Sequence, residues 1–311
     1  MPAEAAAGAL RILRSRMGDR ASADYPLAPL TSFRLGGPAS VYVEAASMDD
    51  LTAVSEALDE TGLPLLVVGK GSNVLISDEG FPGIVVRLGK AFRWAARDGK
   101  RVSAGGAMHL PALANVALAH ELSGLEFGVA IPASLGGSVR MNAGAHGRSL
   151  HEVVESVEVF DTRERRLRVL SAAEVGFSYR DSRLPERGIV VGATVALTPG
   201  DRDEIRSRME EARRWRRETQ PLAEANCGSV FKNPPGDHAA RLIDLAGGKL
   251  LRVGGARVSE KHANFVIAEK GASARDVHEL IDRVREHVHT AFDVWLEPEV
   301  HVVGRFAEGA R

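Results

Sequence analysis

The stretch Gly128-Val-Ala-Ile-Pro132-Ala-Ser134-Leu-Gly136-Gly137-Ser138-Val-Arg140-Met-Asn142-Ala-Gly144-Ala-His-Gly147 decides how this chain is read. It packs five glycines among Ser134, Ser138, Asn142 and one cation, Arg140. Glycine and other small residues leave room for a flat ligand, and the polar side chains supply donors. A turn without a ligand is a poor explanation for such density. A second glycine loop, Gly69-Lys70-Gly71-Ser72-Asn73-Val74-Leu75, lies earlier between two apolar segments. Its backbone N–H groups can converge on an anion, with Ser72 and Asn73 as further donors. Taken alone, a tight strand-to-strand turn is its plainer reading, because it matches neither the P-loop nor the G-x-G-x-x-G fingerprint. Two such loops following different strands suit a long ligand with two phosphates. That shape is a dinucleotide.

Outward from the loops, the chain alternates short strands and helices. Alternating Val and polar residues predict a strand over 40–45. Ser47 with Asp50 predicts a helix start, carrying Leu51, Val54 and Leu58 on one face, and Gly62 and Pro64 end it. Short buried strands follow at 65–68 and 83–88. Pro111 opens a helix expected over 111–122, with strands at 157–160 and 188–197. Asp201 with Glu204 caps a charged helix bearing Arg206, Arg208, Arg213, Arg214, Arg216 and Arg217, which breaks at Gln220-Pro221. Ser273 with Asp276 caps another, with Val277, Leu280, Ile281, Val284 and Val288 along one face. A final strand is expected over 294–303. The N-terminal segment, with Leu10, Leu13 and Met17 on one face and Arg11, Arg14, Arg16 and Arg20 among them, reads as an amphipathic helix and makes a poor signal peptide. The expected division is 1–24 for that helix, 25–88 and 89–200 for two α+β subdomains, and 201–311 for a C-terminal domain.

Bulk properties narrow the class. The chain has 311 residues, a size for two ordinary or three small domains, with 44% hydrophobic and 26% charged residues. A net charge of −1 provides no whole-molecule field for nucleic acid or an anionic membrane, so neither is expected as a partner. No run reaches the roughly 20 apolar residues of a membrane span. One cysteine, Cys227, can form no intrachain disulfide, and a reducing compartment, the cytoplasm, is the simple expectation. No metal spacing occurs, and His287 and His289 lie two apart on different helix faces.

Seven segments in order then resemble the UDP-N-acetylenolpyruvoylglucosamine reductase family, in its shorter form. They are Thr31-Ser-Phe-Arg-Leu-Gly-Gly-Pro38, the loop from Gly69, the run from Ile131 to Gly147, Tyr179-Arg180-Asp181-Ser182, Gly228-Ser229-Val-Phe-Lys232-Asn233-Pro234, Val258-Ser-Glu-Lys261-His262-Ala-Asn264-Phe265 and Glu297-Pro-Glu299-Val300. Ala133 and Cys227 depart from the usual Gly and Ala, each small for small. The resemblance implies an α+β chain: a two-part FAD-binding fold of the vanillyl-alcohol oxidase type plus a C-terminal α+β substrate-binding domain. It implies non-covalent FAD held by Gly69, Lys70, Gly71, Ser72, Asn73, Val74, Ile131, Pro132, Ser134, Gly136, Gly137, Ser138, Arg140, Asn142 and Gly144, with NADPH as reductant. The implied reaction reduces a UDP-sugar enolpyruvyl ether to UDP-N-acetylmuramate for peptidoglycan. Hydride reaches the vinyl CH2 carbon, and the charge left next to the carboxylate needs a cation or acid and then a proton.

The resemblance assigns stabilisation of that charge to Arg180 and Glu299, and the proton to Ser229. Arginine suits a carboxylate because its fork binds both oxygens and stays charged. Glu299 helps only if protonated or if it positions Arg180 or a water, so a raised pKa is expected there. Tyr179, Lys232, Asn233, Lys261 and His262 are implied for substrate, with a monomer as the working unit. By local sequence alone Arg180 reads as a surface ion pair with Asp181 or Glu186, Glu299 as an outward strand residue and Ser229 as turn chemistry beside Gly228. The Arg213–Arg217 cluster reads as a solvated helix face, and Cys227 as packing. Two other readings stay open: a flavin oxidase with FAD attached through His109 or His146, and a nucleotide- or RNA-binding module using the arginine-rich helix.

Overall fold

The computed structural model describes residues 2–306. The chain forms two compact units that interleave along the sequence: 1–23, 41–70 and 83–216 make unit one, and 24–40, 71–82 and 217–311 make unit two.

Unit one is built from two sheets with their helices. Strand Leu65–Val67 runs parallel to strand Phe81–Leu88, in a four-stranded sheet with Ala21–Pro26 and Pro38–Ala45. Helix Pro2–Met17 and helix Met48–Thr61 cover it, burying Leu13 and Met17 with Leu51, Val54 and Leu58. Leu10 is only half-buried. The Ser47–Asp50 capping box begins the second helix and Gly62, at φ 67, ends it. Asp50 is buried and also accepts the Ala46 N–H at 2.7 Å and the Arg20 guanidinium.

The second sheet is fully antiparallel, in the order Arg166–Ser171, Val154–Asp161, Gly188–Ala196, Arg101–Gly105, Ala95–Asp98. Val157, Val159, Ala193 and Val195 face a core shared with helix Leu110–Ala119 and with Ile205, Met209 and Ala212 of helix Arg202–Thr219. The helix expected to reach residue 122 stops at Ala119. Glu121 adopts φ 55, and Leu122–Ser123 pairs instead with Thr198–Pro199.

Unit two holds a three-stranded antiparallel sheet, Arg252–Val253, Ala256–Val258 and Val266–Ala268, against helix Ala274–Phe292. That helix starts at the Ser273–Asp276 capping box and buries Val277, Leu280, Ile281, Val284 and Val288. Strand Val74–Ile76 pairs in parallel with His301–Val303. The strand expected over 294–303 is therefore only three residues long. Pro298 offers no N–H, and the Glu299 and Val300 N–H groups both turn to the Val230 carbonyl, at 2.7 and 3.3 Å.

Candidate active site and cofactor cleft

In unit one, strand Leu65–Val67 delivers Gly69 and Lys70 to the mouth of a cleft. Val67, Val68, Leu88, Ala107 and Val190 give it apolar walls, and Lys70, Arg87, Arg93, His109 and Arg140 give it cationic or ionisable ones. Glycines allow the walls to close up. A β-carbon on Gly69 would collide with the Ser134 hydroxyl, and one on Gly106 with the Val190 carbonyl. Ser134 is buried and caps helix Leu135–Arg140, accepting the Gly137 N–H at 3.4 Å. Gly136 and Gly137 line the cleft, while Ile131 packs half-buried against the core beside Pro132. The Ser138 hydroxyl is buried, 1% exposed, with no hydrogen-bond partner among the described residues. Burial, then Lys70, Arg93 and Arg87, holds His109 below its usual value.

The later half of the long glycine loop is stitched to the Tyr179–Ser182 turn. Arg140 Nη2 donates to the Gly188 carbonyl at 2.6 Å, and burial lowers the Arg140 pKa. The Ser182 hydroxyl donates to the Arg140 carbonyl at 2.7 Å. Asn142 donates to the Ser178 carbonyl at 2.8 Å and accepts the His151 N–H at 3.0 Å. Arg180 stands at the corner with φ 57, its Nη2 donating to the Gly144 carbonyl at 3.0 Å and its guanidinium 5.4 Å from the Tyr179 ring centre. Tyr179 is 54% exposed. Glu186, one partner expected from the local sequence, pairs with Arg163 at 2.7 Å.

Unit two takes the rest of the short glycine loop. Gly71 has φ 59, and a β-carbon there would collide with the Leu30 carbonyl oxygen. Its own carbonyl accepts the Ser32 N–H at 2.9 Å, so the Thr31–Pro38 segment folds onto it. Ser72 is half-buried and Val74 buried. Asn73 Nδ2 donates to the Glu299 carbonyl at 3.0 Å, and the Asn73 carbonyl accepts the His301 N–H at 3.2 Å.

Glu299 in turn donates its N–H to Val230, the residue after Ser229. The segments carrying Ser229 and Glu299 thus lie side by side, and both side chains are half-buried. Asn264 locks the first of these: it accepts the Phe231 N–H at 2.9 Å and donates to the Phe231 carbonyl at 2.8 Å. Gly228, at φ 81, donates to Asn226 Oδ1 at 2.9 Å. Lys232 pairs with Glu297 at 2.7 Å, and Asn233 Oδ1 accepts the Ala239 N–H at 3.0 Å. Cys227 is buried, and burial with the Glu299 carboxylate pushes its thiol far up, so it is no nucleophile at neutral pH.

Lys261 and His262 occupy a separate turn formed around Ser259, whose hydroxyl accepts the Lys261 N–H at 3.2 Å. Lys261 Nζ donates to the Arg217 carbonyl at 2.6 Å. His262 meets Phe265 edge-on, centres 4.7 Å apart, and burial lowers its pKa. Sequence reasoning missed Arg87 and Arg93 as cleft residues, named His109 only as an attachment point for FAD under the oxidase reading, and missed Asn264 as the clamp on Phe231. The first three are scattered over 23 positions of unremarkable sequence. Asn264 stands inside the Val258–Phe265 motif, but nothing in that motif names Phe231 as its partner. Among the described residues there is no metal-type cluster of His, Cys, Asp and Glu, and no helix is long and apolar enough to cross a membrane.

Comparison with known proteins fixes the kinship. A model of the UDP-N-acetylenolpyruvoylglucosamine reductase C-terminal domain matches residues 220–303, and a model of an FAD binding domain matches 39–169. The UDP-N-acetylenolpyruvoylglucosamine reductase of Heliobacterium modesticaldum is 45% identical over 90% of this chain and 89% of its own. The chain belongs to the UDP-N-acetylenolpyruvoylglucosamine reductase family. A second member of this reductase family, from Carboxydothermus hydrogenoformans, is 43% identical over 94% of this chain and 97% of its own. The crystal structure of the Thermus caldophilus reductase superposes with a TM-score of 0.79 at 37% identity, covering 91% of this chain and 98% of that one. A glucose dehydrogenase, Phl p 4.0202, shares the fold at a TM-score of 0.50 and 16% identity, covering 62% of this chain and 44% of that one. The α+β architecture with an FAD-binding domain and a reductase C-terminal domain is thus the family's own.

Proposed function

We infer that this chain is the FAD-dependent oxidoreductase that reduces UDP-N-acetyl-3-O-(1-carboxyvinyl)glucosamine to UDP-N-acetylmuramate in peptidoglycan precursor synthesis, with NADPH as reductant. The observation that carries this is family membership over nine-tenths of the chain. The cleft fits FAD: its glycines leave a cradle that a β-carbon would fill, its cationic wall matches a diphosphate, and its apolar wall matches flat rings. FAD, when bound, supplies hydride exchange between NADPH and the vinyl CH2 carbon of the substrate.

The chain's residues supply what remains. We assign to Arg180 the substrate carboxylate, where charge grows as the double bond is reduced; its hold on the Gly144 carbonyl supports a fixed orientation. Ser229 gives its hydroxyl proton to the carbon next to the carboxylate, and Glu299 is assigned with Arg180 to the growing charge, as an acid or by positioning a water. The pairing of their two segments through Val230 supports this joint role. Gly69 to Val74 and Ile131 to Gly144 are assigned to the cofactor, with Asn142, Ser138 and Arg140 shaping the loop from within. Tyr179, Lys232, Asn233, Lys261 and His262 are assigned to the UDP-sugar.

As modules we keep 25–88 and 89–200 for the cofactor and 201–311 for the substrate, preceded by the helix region 1–24. We further propose a monomer working in the cytoplasm. The direct test follows NADPH absorbance with the enolpyruvyl UDP-sugar added. Oxidation of NADPH that depends on this substrate, with UDP-N-acetylmuramate formed, supports the reading; flavin that stays attached to the denatured chain, or no turnover, overturns it.

A further inference from the structure

The cationic wall of the unit-one cleft exceeds what the two glycine loops provide. Lys70 follows strand Leu65–Val67, Arg87 sits on strand Phe81–Leu88, Arg93 follows the turn Lys90–Phe92, and His109 is the N-cap residue of helix Leu110–Ala119. Arg140 enters from helix Leu135–Arg140 and is held by the Gly188 and Pro185 carbonyls. None of the residues lining the cleft is acidic. Five positive or potentially positive groups come from five elements with no carboxylate in the lining itself, Asp181 acting on Arg140 from outside it. Together the five groups favour an anion in the cleft.

We propose that Arg87, Arg93 and His109 form a cationic wall that holds the diphosphate of the bound dinucleotide, with His109 taking up a proton as the diphosphate enters. This rests on the FAD reading above. Lys70, Arg87 and Arg93 face His109 from three elements, with Arg140 on the same cleft. Its backbone is tied to Ser134 by an isolated bridge, so the ring is carried on the glycine-loop framework itself. With no anion present, burial and those three cations hold the imidazole below its ordinary value and so favour its neutral form. A diphosphate reverses the local field. One proton then moves from solvent to a ring nitrogen, the ring gains a positive charge, and no bond of the ligand changes.

The experiment strips the flavin and titrates the full-length protein with FAD by calorimetry near pH 7, in buffers of different ionisation enthalpy. Expected is an uptake approaching one proton per FAD in the unaltered protein, and none in His109→Gln. The FAD Kd of the unaltered protein should weaken by up to about tenfold per pH unit above neutrality, while that of His109→Gln stays flat. Arg87→Gln and Arg93→Gln should each weaken binding and reduce its salt dependence. Binding without proton uptake, or uptake that persists in His109→Gln, overturns this inference while leaving the FAD reading intact. A protein that binds no FAD overturns both. Should His109→Gln fail to fold, the imidazole nitrogen shifts of His109 in the unaltered protein, with and without FAD, decide the matter.

Discussion

A serine hydroxyl is a weak acid, and Ser229 can give up its proton only to a base as strong as a carbanion next to a carboxylate. Ser229→Ala should therefore leave reduction of the flavin by NADPH intact and slow its reoxidation by the enolpyruvyl sugar about 100- to 10,000-fold in stopped flow. Equal slowing of both halves would make Ser229 a structural residue. Asp50 gives a pH prediction of known sign. Burial pushes its carboxyl up, but the Arg20 guanidinium and the Ala46 and Ser47 N–H groups outweigh that and bring it below 3.8. Its contribution to stability is thus present above pH 3.8 and is lost as pH falls further, because the unfolded chain binds the proton more readily. Asp50→Asn should lower stability by about 1–2 kcal/mol at neutral pH and flatten the acid limb of the unfolding curve. An unchanged acid limb would refute the assignment. These residues differ in legibility. Asp50 was readable from Ser47 three positions earlier, whereas the Arg20 partner came from a distant segment that no local pattern signals.

Helix starts were the most legible elements because their signals are local: Ser47 with Asp50 and Ser273 with Asp276 both form complete capping boxes. Ser273→Ala should cost about 1 kcal/mol in denaturant unfolding. Asp276→Ala should cost more, since Asp276 also accepts the Gly255 N–H at 3.1 Å. Equal losses would show that the Gly255 bond carries no weight. Strand ends were less legible. Residues 294–303 have the alternation of a strand, yet the partners of Glu299 and Val300 lie at Val230, and only the fold brings that carbonyl within reach. The cofactor cleft shows the same division. The glycine loops announce a phosphate ligand by composition, but Arg87, Arg93 and His109 converge only after three elements have packed. Gly71 joins both levels: its φ of 59 is local, while its collision with Leu30 on substitution is tertiary. Gly71→Ala should destabilise the protein by roughly 1–3 kcal/mol and lower its flavin content; an unaltered melting temperature would remove the strain argument.

At the scale of the molecule, any ligand that binds only the folded chain stabilises it by mass action. FAD at 100 times its Kd should add about 2.7 kcal/mol to the stability of the flavin-free protein, read as a raised melting temperature. No shift would deny a native cofactor site. The fold class was legible here because seven segments kept their order. The interleaving of the units was not, since the packing of 24–40, 71–82 and 217–311 into one unit leaves no mark on any single segment.

That interleaving has a consequence for how the protein is made. A chain leaves the ribosome from its N-terminus, and domains generally close as units once their sequence has emerged. Unit one is complete in sequence at residue 216, but unit two needs His301–Val303 to lie beside Val74–Ile76. Phe33, Leu75 and Ile76, all buried in the finished protein, must therefore wait without their final partners while some two hundred further residues are translated. A newborn chain stalled before its last hundred residues should be sticky at those positions, cleaved by added protease within 24–40 or 71–82, and bound by holdase chaperones there.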